Sequence, residues 1–276
     1  MEIELRLLLK GLKMNVLEYE MIEVLKSLKN DYGVFEIKAE YENEGSRQEE
    51  LMRLKDVTSK VDLPIILKIG GVEAVTDMYN AITLGVKGIV APMAETAFAV
   101  SKFINAIKTF IPEDNAKDIE FGVNIETITA YKNIDEILNL TDINILTGIT
   151  VGRVDFTASM GKDRNFADSK EMLDYCIDIF SKARDKNLKC ALGGAISAKS
   201  EYFIRELINN NLIDKYETRK IIYSKDAVKN IKEGILKGIE FELLWLKSKR
   251  RYYHRIKNED EKRIVMLEKR LEEAKK

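Results

Sequence analysis

The chain has 276 residues, with 45 Lys and Arg against 46 Asp and Glu, so its formal charge at pH 7 is −1. Two cysteines and one histidine exclude a disulfide framework and a metal site built from Cys or His; any metal must be held mainly by carboxylates, which suits Mg2+ or Mn2+. The even charge argues against a nucleic-acid partner, no apolar run nears the roughly 20 residues of a membrane helix, and Met1-Glu2-Ile3-Glu4 carries acids where a secretory signal carries bases, so a cytoplasmic protein is expected.

In chain order, a weak strand candidate at Leu8–Val16 comes first. Apolar, β-rich runs follow at Val34–Tyr41, Leu63–Ile69, Gly88–Met93, Ile119–Thr127, Ile145–Phe156, Leu188–Ile196 and Lys220–Ser224. Amphipathic stretches of helical period, such as Val72–Leu84, Glu95–Phe110 and Ser169–Lys186, lie between them. Strongly apolar strands alternating with helices imply parallel strands buried on both faces. Eight such units in about 240 residues fit a closed (β/α)8 TIM barrel over residues 1–238. An open doubly wound sheet is the alternative from pattern alone. No Pro or Gly follows Gly238, so the chain is expected to end in a long C-terminal helical extension, 239–276. Its 4-3 positions are Ile239, Leu243, Leu246, Arg250, Tyr253, Lys257, Asp260, Ile264, Leu267 and Leu271: apolar at both ends, charged in the middle. The basic, aromatic stretch Lys247–Lys257 reads as a solvated helix face balanced by acids from Glu259 onward, rather than as a phosphate or nucleic-acid contact.

Chemistry in a barrel sits where the strands end. Glu40, Lys68, Glu126 and Asp155 each close an apolar run. A strand-end carboxylate can merely cap the next helix. Glu126 and Asp155, however, belong to neighbouring runs and would repel each other unless a divalent ion lay between them. Such an ion can polarise a 2-oxo acid and lower the energy of its enolate. Gly152 permits close backbone approach, so amides near Val154 and Asp155 could hold a substrate carboxylate. Gly70-Gly71 and Gly193-Gly194 read equally as anion cradles or as tight turns. No nucleotide-binding glycine loop and no nucleophile elbow is present.

The stretches Leu63–Lys68, Gly85–Met93, Asn124–Thr127 and, above all, Val151-Gly152-Arg153-Val154-Asp155-Phe156-Thr157-Ala158-Ser159-Met160-Gly161 together resemble the HpcH/HpaI aldolase and citrate lyase β-subunit family. The resemblance implies a metal-dependent C–C lyase on a TIM barrel, acting on a small 2-oxo acid or related molecule. It implies Glu126 and Asp155 as metal ligands, Glu40 as an organiser of metal-bound water, and the Gly152–Asp155 backbone as the pyruvyl carboxylate site. It also implies a homo-oligomer through the C-terminal helix.

Three positions depart from the family pattern. Lys38 stands for its Asp, Tyr41 for its proton-moving His, and Lys68 for its enolate-stabilising Arg. Lysine keeps the charge without the bidentate fork, and tyrosine is a poor base at neutral pH. Arg153 is then the candidate for a compensating guanidinium. The departures leave three readings: a lyase with altered substrate and base, a catalytically silent ligand-binding or assembly module, and a Schiff-base enzyme using Lys68.

Overall fold

A computed structural model describes residues 15–273. Helix α1 (Val16–Tyr32) leads into β1 (Val34–Glu40), followed by α2 (Gln48–Ser59), β2 (Ile65–Lys68), α3 (Val75–Leu84), β3 (Gly88–Ala91), α4 (Ala97–Phe110), α5 (Glu113–Asp118) and β4 (Glu120–Ile125). Then come α6 (Ile128–Lys132), α7 (Ile134–Leu138), β5 (Gly148–Gly152), α8 (Arg153–Ser159), α9 (Lys170–Asp185), β6 (Lys189–Gly193), α10 (Glu201–Asn209), β7 (Lys215–Glu217), β8 (Ile221–Ser224) and α11 (Ile231–Glu273). The strands close in sequence order into an eight-stranded barrel, as the periodicity predicts.

The first seven strands are parallel. The eighth closes the barrel antiparallel to both β7 and β1. No helix separates β7 from β8; the turn Thr218-Arg219-Lys220 joins them and stands at the mouth where the other strands end. The predicted strand Leu8–Val16 lies outside the described residues except for Asn15 and Val16, which begin α1: the Asn15 side chain accepts from the Glu18 amide and Glu18 returns the bond. The strand that completes the count of eight is β7, Lys215–Glu217, instead. Its three residues, two of them charged, carry no apolar run.

Side chains of β1 alternate between two environments. Ile37 and Ala39 pack outward in the core beneath the helices, while Glu36, Lys38 and Glu40 point into the barrel and ion-pair there. At the bottom of the barrel Lys215 meets Glu36 at 2.8 Å and Lys189 meets Glu120 at 2.8 Å. This interior is therefore layered with charge, where TIM barrels more often stack branched apolar residues.

Helix α11 has 43 residues, roughly 65 Å at 1.5 Å per residue. The predicted division at 238/239 falls inside it. Ile231, Ile235, Phe241, Leu244 and Trp245 are buried, whereas nearly every residue from Arg250 onward is exposed. Gly234 and Gly238 let the helix lie against Tyr32 and Tyr223; a Cβ at Gly238 would strike the Tyr223 hydroxyl.

Candidate active site

A cavity of about 300 Å³ opens at the mouth formed by the strand C-termini. Glu40, Lys68 and Glu126, at or just past the ends of β1, β2 and β4, line it, as do Gly152, Val154 and Asp155. The parallel register sets Glu40 beside Lys68. Asp155 arrives in the first turn of α8 and not on a strand, because the apolar run predicted from Ile145 to Phe156 ends as strand at Gly152.

Glu126 is 3% exposed. Its Oε1 accepts the Met93 amide at 2.9 Å and its Oε2 accepts Asn124 Nδ2 at 3.1 Å. Met93 sits in the left-handed region at φ 51°, a conformation found disproportionately at working sites. Burial pushes the Glu126 carboxyl above its ordinary range and the charge of Asp155 adds to the shift, against the Met93 amide and Lys68. Gly152 is required by this packing: a Cβ there would lie 2.5 Å from Glu126 Oε2 and 2.8 Å from its Cβ. Across the turn, a Cβ on Gly194 (φ +76°) would collide with the backbone nitrogens of Arg153 and Val154. Gly193-Gly194 thus allows the β6 loop to press on the start of α8, and Gly152 opens that helix without a capping side chain.

Neither Glu126 nor Asp155 has a lysine or arginine at ion-pair distance among the described residues, while the acids around them do. Lys38 Nζ lies 2.5 Å from Glu217 and 3.1 Å from Glu40. Lys68 Nζ lies 2.8 Å from Glu42 and 3.8 Å from Glu40. Arg219 lies 3.6 Å from Glu40, and Lys220 pairs with Glu44. Burial alone would raise the Glu40 carboxyl, but Lys38 and Lys68 outweigh it and hold Glu40 below its usual range. Burial alone would lower the Lys38 ammonium, but Glu217 and Glu40 outweigh it and hold it high.

These contacts decide whether a divalent cation fits. Two carboxylates share one cavity with no lysine or arginine at ion-pair distance of either, one of them already driven toward protonation by its surroundings, and Glu40 Oε2 is buried with no hydrogen-bond partner. That donor set suits a hard ion with positions left for water or substrate. Among the described residues no three His, Cys, Asp or Glu side chains gather into a cage, so the pair would form an open site.

Two sequence candidates are not brought to the cavity. Arg153 is fully buried. Its Nη1 donates to Asp168 at 2.7 Å and to the Ala167 carbonyl at 2.8 Å, Nε to Gly193 O and Nη2 to Gly194 O, with Phe203 beneath the guanidinium. It fastens the loops after β5 and β6, and its charge is consumed there. Tyr41 follows the inward-facing Glu40 and so points outward. Its hydroxyl donates to Gln48, and burial with the nearby Asp77 charge pushes it up to about 12. It is no base for the cavity.

Lys38, read from the sequence as the residue standing for a family Asp, lines the cavity too; other lining residues escaped the sequence pattern: Glu217 inside the barrel, Arg219 on the β7–β8 turn, Arg164, and Glu242 of α11. Glu242 is half-buried without an ion-pair partner among the described residues. Burial raises its carboxyl, and Glu44 and Glu40 add to the shift against Arg219 and Lys220. An acid on a helix that begins after the last strand carries no signal in the sequence until that helix is seen to pass the mouth.

The family model for HpcH/HpaI aldolase/citrate lyase matches residues 52–202. Among solved structures, the chain is similar to macrophomate synthase, at 15% identity and TM-score 0.54 over 86% of this chain and 82% of that one. It is similar to the HpcH/HpaI aldolase from Desulfitobacterium hafniense DCB-2, at 14% identity and TM-score 0.54 over 69% and 79%. It is also similar to CitE from Mycobacterium tuberculosis, solved with magnesium and acetoacetate, at 13% identity and TM-score 0.50 over 81% and 94%. These are likenesses of fold. No curated protein matches the chain in sequence.

Proposed function

We propose that this chain, which belongs to the HpcH/HpaI aldolase/citrate lyase family, is a divalent-metal-dependent lyase that makes or breaks a C–C bond beside the carbonyl of a 2-oxo acid such as pyruvate. The observation that carries this reading is the pair Glu126 and Asp155, two acids lining one cavity with no lysine or arginine at ion-pair distance of either among the described residues. They would hold Mg2+ or Mn2+, which when bound polarises the substrate carbonyl.

The chain's own residues do the rest. The first-turn amides at Val154 and Asp155, beside Gly152, receive the substrate carboxylate. Lys68, tied to Glu42 and Glu40, sets a fixed positive charge near the developing enolate oxygen. Glu40, held ionised by Lys38 and Lys68, orients water through its Oε2, which accepts no hydrogen bond from the protein. With Tyr41 turned away, Glu242 is the acid best suited to carry the proton, since its raised carboxyl faces the same cavity.

The Schiff-base reading loses support, because Lys68 Nζ is held in an ion pair by Glu42 at 2.8 Å. The silent-module reading is favoured by one observation: among the described residues no tyrosine or histidine lines the cavity. One experiment separates it from the lyase. With Mg2+ or Mn2+, the purified protein should exchange the methyl protons of pyruvate with D2O, and the exchange should vanish in chelator and in Asp155→Asn. Metal uptake with no exchange for any 2-oxo acid would favour the silent module; no metal uptake would remove the lyase reading.

A further inference from the structure

Four basic side chains line the cavity: Lys38, Lys68, Arg164 and Arg219. Three of them are already matched. Lys38 is held by Glu217 and Glu40, and Lys68 by Glu42 and Glu40. Arg219 lies 3.6 Å from Glu40 and 3.9 Å from Glu44. Arg164 has neither an acid at ion-pair distance nor a hydrogen-bond acceptor for its guanidinium among the described residues. An exposed arginine is ordinarily a solvated surface group, and Arg164 is exposed. Two observations set it apart: its side chain borders the cavity, and the segment that carries it is pinned from beneath.

Beyond α8 the chain turns through Gly161 at φ +68° and enters a short 3-10 turn, Arg164–Asp168. At its start the Asp163 side chain accepts the Asn165 amide at 2.7 Å. At its end the buried Arg153 takes hold, donating from Nη1 to the Ala167 carbonyl at 2.8 Å and to Asp168 at 2.7 Å. The other nitrogens of Arg153 grip the carbonyls of Gly193 and Gly194. Those glycines, with Ala195 and Ile196, border the same cavity. Arg153 thus ties the turn that carries Arg164 to the neighbouring β6 loop. The guanidinium expected in the mouth at Arg153 arrives there from Arg164, and Arg153 is what fixes its base.

A divalent ion held by Glu126 and Asp155 balances those two acids. Glu242, the other acid without an ion-pair partner, is pushed toward its neutral form by burial. The charge then left over among the lining groups is that of Arg164, and an anion from outside can meet it. We propose that Arg164 is a specificity-determining residue, which clamps an anionic group (carboxylate or phosphate) at the far end of the 2-oxo acid, and that Arg153 is its positioning residue. The inference rests on the lyase reading above and adds to it the substrate's second charge. An arginine fork meets either anion with two parallel hydrogen bonds, and the cavity of about 300 Å³ leaves room beyond a three-carbon acid. In the synthetic direction the enolate carbon of pyruvate bonds to an aldehyde carbon. The aldehyde π pair passes to its oxygen, which gains a proton in place of the one pyruvate lost. Arg164 acts on none of these atoms; it selects an aldehyde that carries an acid at its other end.

Binding tests this without turnover. The full chain, loaded with Mg2+, is titrated calorimetrically with 2-oxopentanoate and with 2-oxoglutarate, which share a carbon skeleton and differ in a terminal methyl or carboxylate. A third titrant, 2-oxo-4-phosphonobutanoate, ends in a phosphonate. At least one of the two doubly acidic ligands should bind about 10- to 100-fold more tightly than 2-oxopentanoate, the range of a charge-assisted pair. The tighter of the two identifies the anion. Arg164→Gln should erase the preference, and Arg164→Lys should keep part of it, since lysine holds the charge without the fork. Asp168→Asn, which loosens the hold of Arg153, should narrow it; a ratio of affinities within one protein does not follow general stability. Equal binding of all three ligands by the wild type, a preference that survives Arg164→Gln, or one that is lost in Arg219→Gln instead would overturn the inference and leave the lyase reading standing. A loaded protein that binds no 2-oxo acid, pyruvate included, would overturn both.

Discussion

The two mouths of the barrel carry charge in different ways. At the N-terminal mouth Glu36 and Glu120 face Lys215 and Lys189, each acid with a lysine at 2.8 Å and Lys215 also 3.9 Å from Glu120. Two acids and two bases close the account locally, and the space left between them is only about 40 Å³. At the C-terminal mouth Lys38, Lys68, Arg219 and Lys220 are taken up by Glu40, Glu42, Glu44 and Glu217, and among the described residues three further acids, Glu126, Asp155 and Glu242, remain against one further base, Arg164. The same chemical types thus serve architecture at one end, and at the other leave a negative charge that needs a guest. A matched buried pair contributes little net stability but is costly to break. An unmatched pair of acids destabilises the fold and is better explained by what it binds.

The largest effects should come from the unmatched pair. Glu126→Gln and Asp155→Asn should each lower Mg2+ or Mn2+ affinity by more than about 100-fold, beyond the 10–100-fold usual for residues that only orient ligands; calorimetric titration measures it. Without metal the same Glu126→Gln change should raise the melting temperature at pH 7. Its sign follows from linkage. The folded carboxyl lies above its ordinary 4.5, so the folded state holds its proton more tightly than the unfolded chain does. Wild-type stability therefore falls as pH rises from 4.5 through the folded value, and this penalty is absent from the Gln variant. The gap between the two melting curves should shrink as the pH is lowered through that window. A destabilised Gln variant at pH 7 would mean that Glu126 is matched after all.

At the other mouth Lys215→Met leaves Glu36, already pushed up by burial despite its lysine, without a partner. A cost of about 3 kcal/mol is expected in urea unfolding, with metal affinity unchanged. Glu36→Gln should cost less, since Lys215 keeps Glu120 within 3.9 Å. If Lys215→Met also lowered metal affinity, the two mouths would be coupled and the contrast between them would fail. Gly152→Ala tests the boundary between architecture and function. Its new methyl must displace the Glu126 side chain, at about 1–3 kcal/mol for overpacking. Unlike the lysine variant, it should lose metal as well as stability.

Much of this was legible in the sequence, for identifiable reasons. Glu126 and Asp155 stood out because each is a polar residue closing an apolar run, and parallel βα units carry such residues to one rim. The charged interior was not legible: Lys38, Glu120 and Lys189 lay inside runs read as apolar strands and Lys215 and Glu217 in no run at all, because an inward-facing ion pair becomes visible only once two strands far apart in the chain are neighbours. The short β7 was lost for that reason, and with it the antiparallel direction of β8, whose run Lys220–Ser224 was itself read as a strand. Arg153 shows a different limit. Lying next to a site residue says nothing about direction, and at the start of a helix successive side chains turn by about 100°.

The smallest effect is expected at Tyr41, and it bears on the comparison from the side of chemistry. Glu40 and Tyr41 are adjacent on an extended chain, so the one that faces the mouth sends the other outward. The phenol bonds Gln48, and its proton is held more tightly than in free tyrosine. Tyr41→Phe should therefore cost about 1 kcal/mol or less, the net value of one partly buried hydrogen bond. Pyruvate exchange should change by less than about threefold, within the 1 kcal/mol that a uniform structural adjustment can shift a rate. Glu242→Gln, by contrast, should slow exchange at saturating pyruvate without altering metal affinity. A Phe variant as impaired as the Glu242 variant would show that proton transfer runs through β1, and that the unmatched acids of the mouth are assisted from the strand and not from the helix.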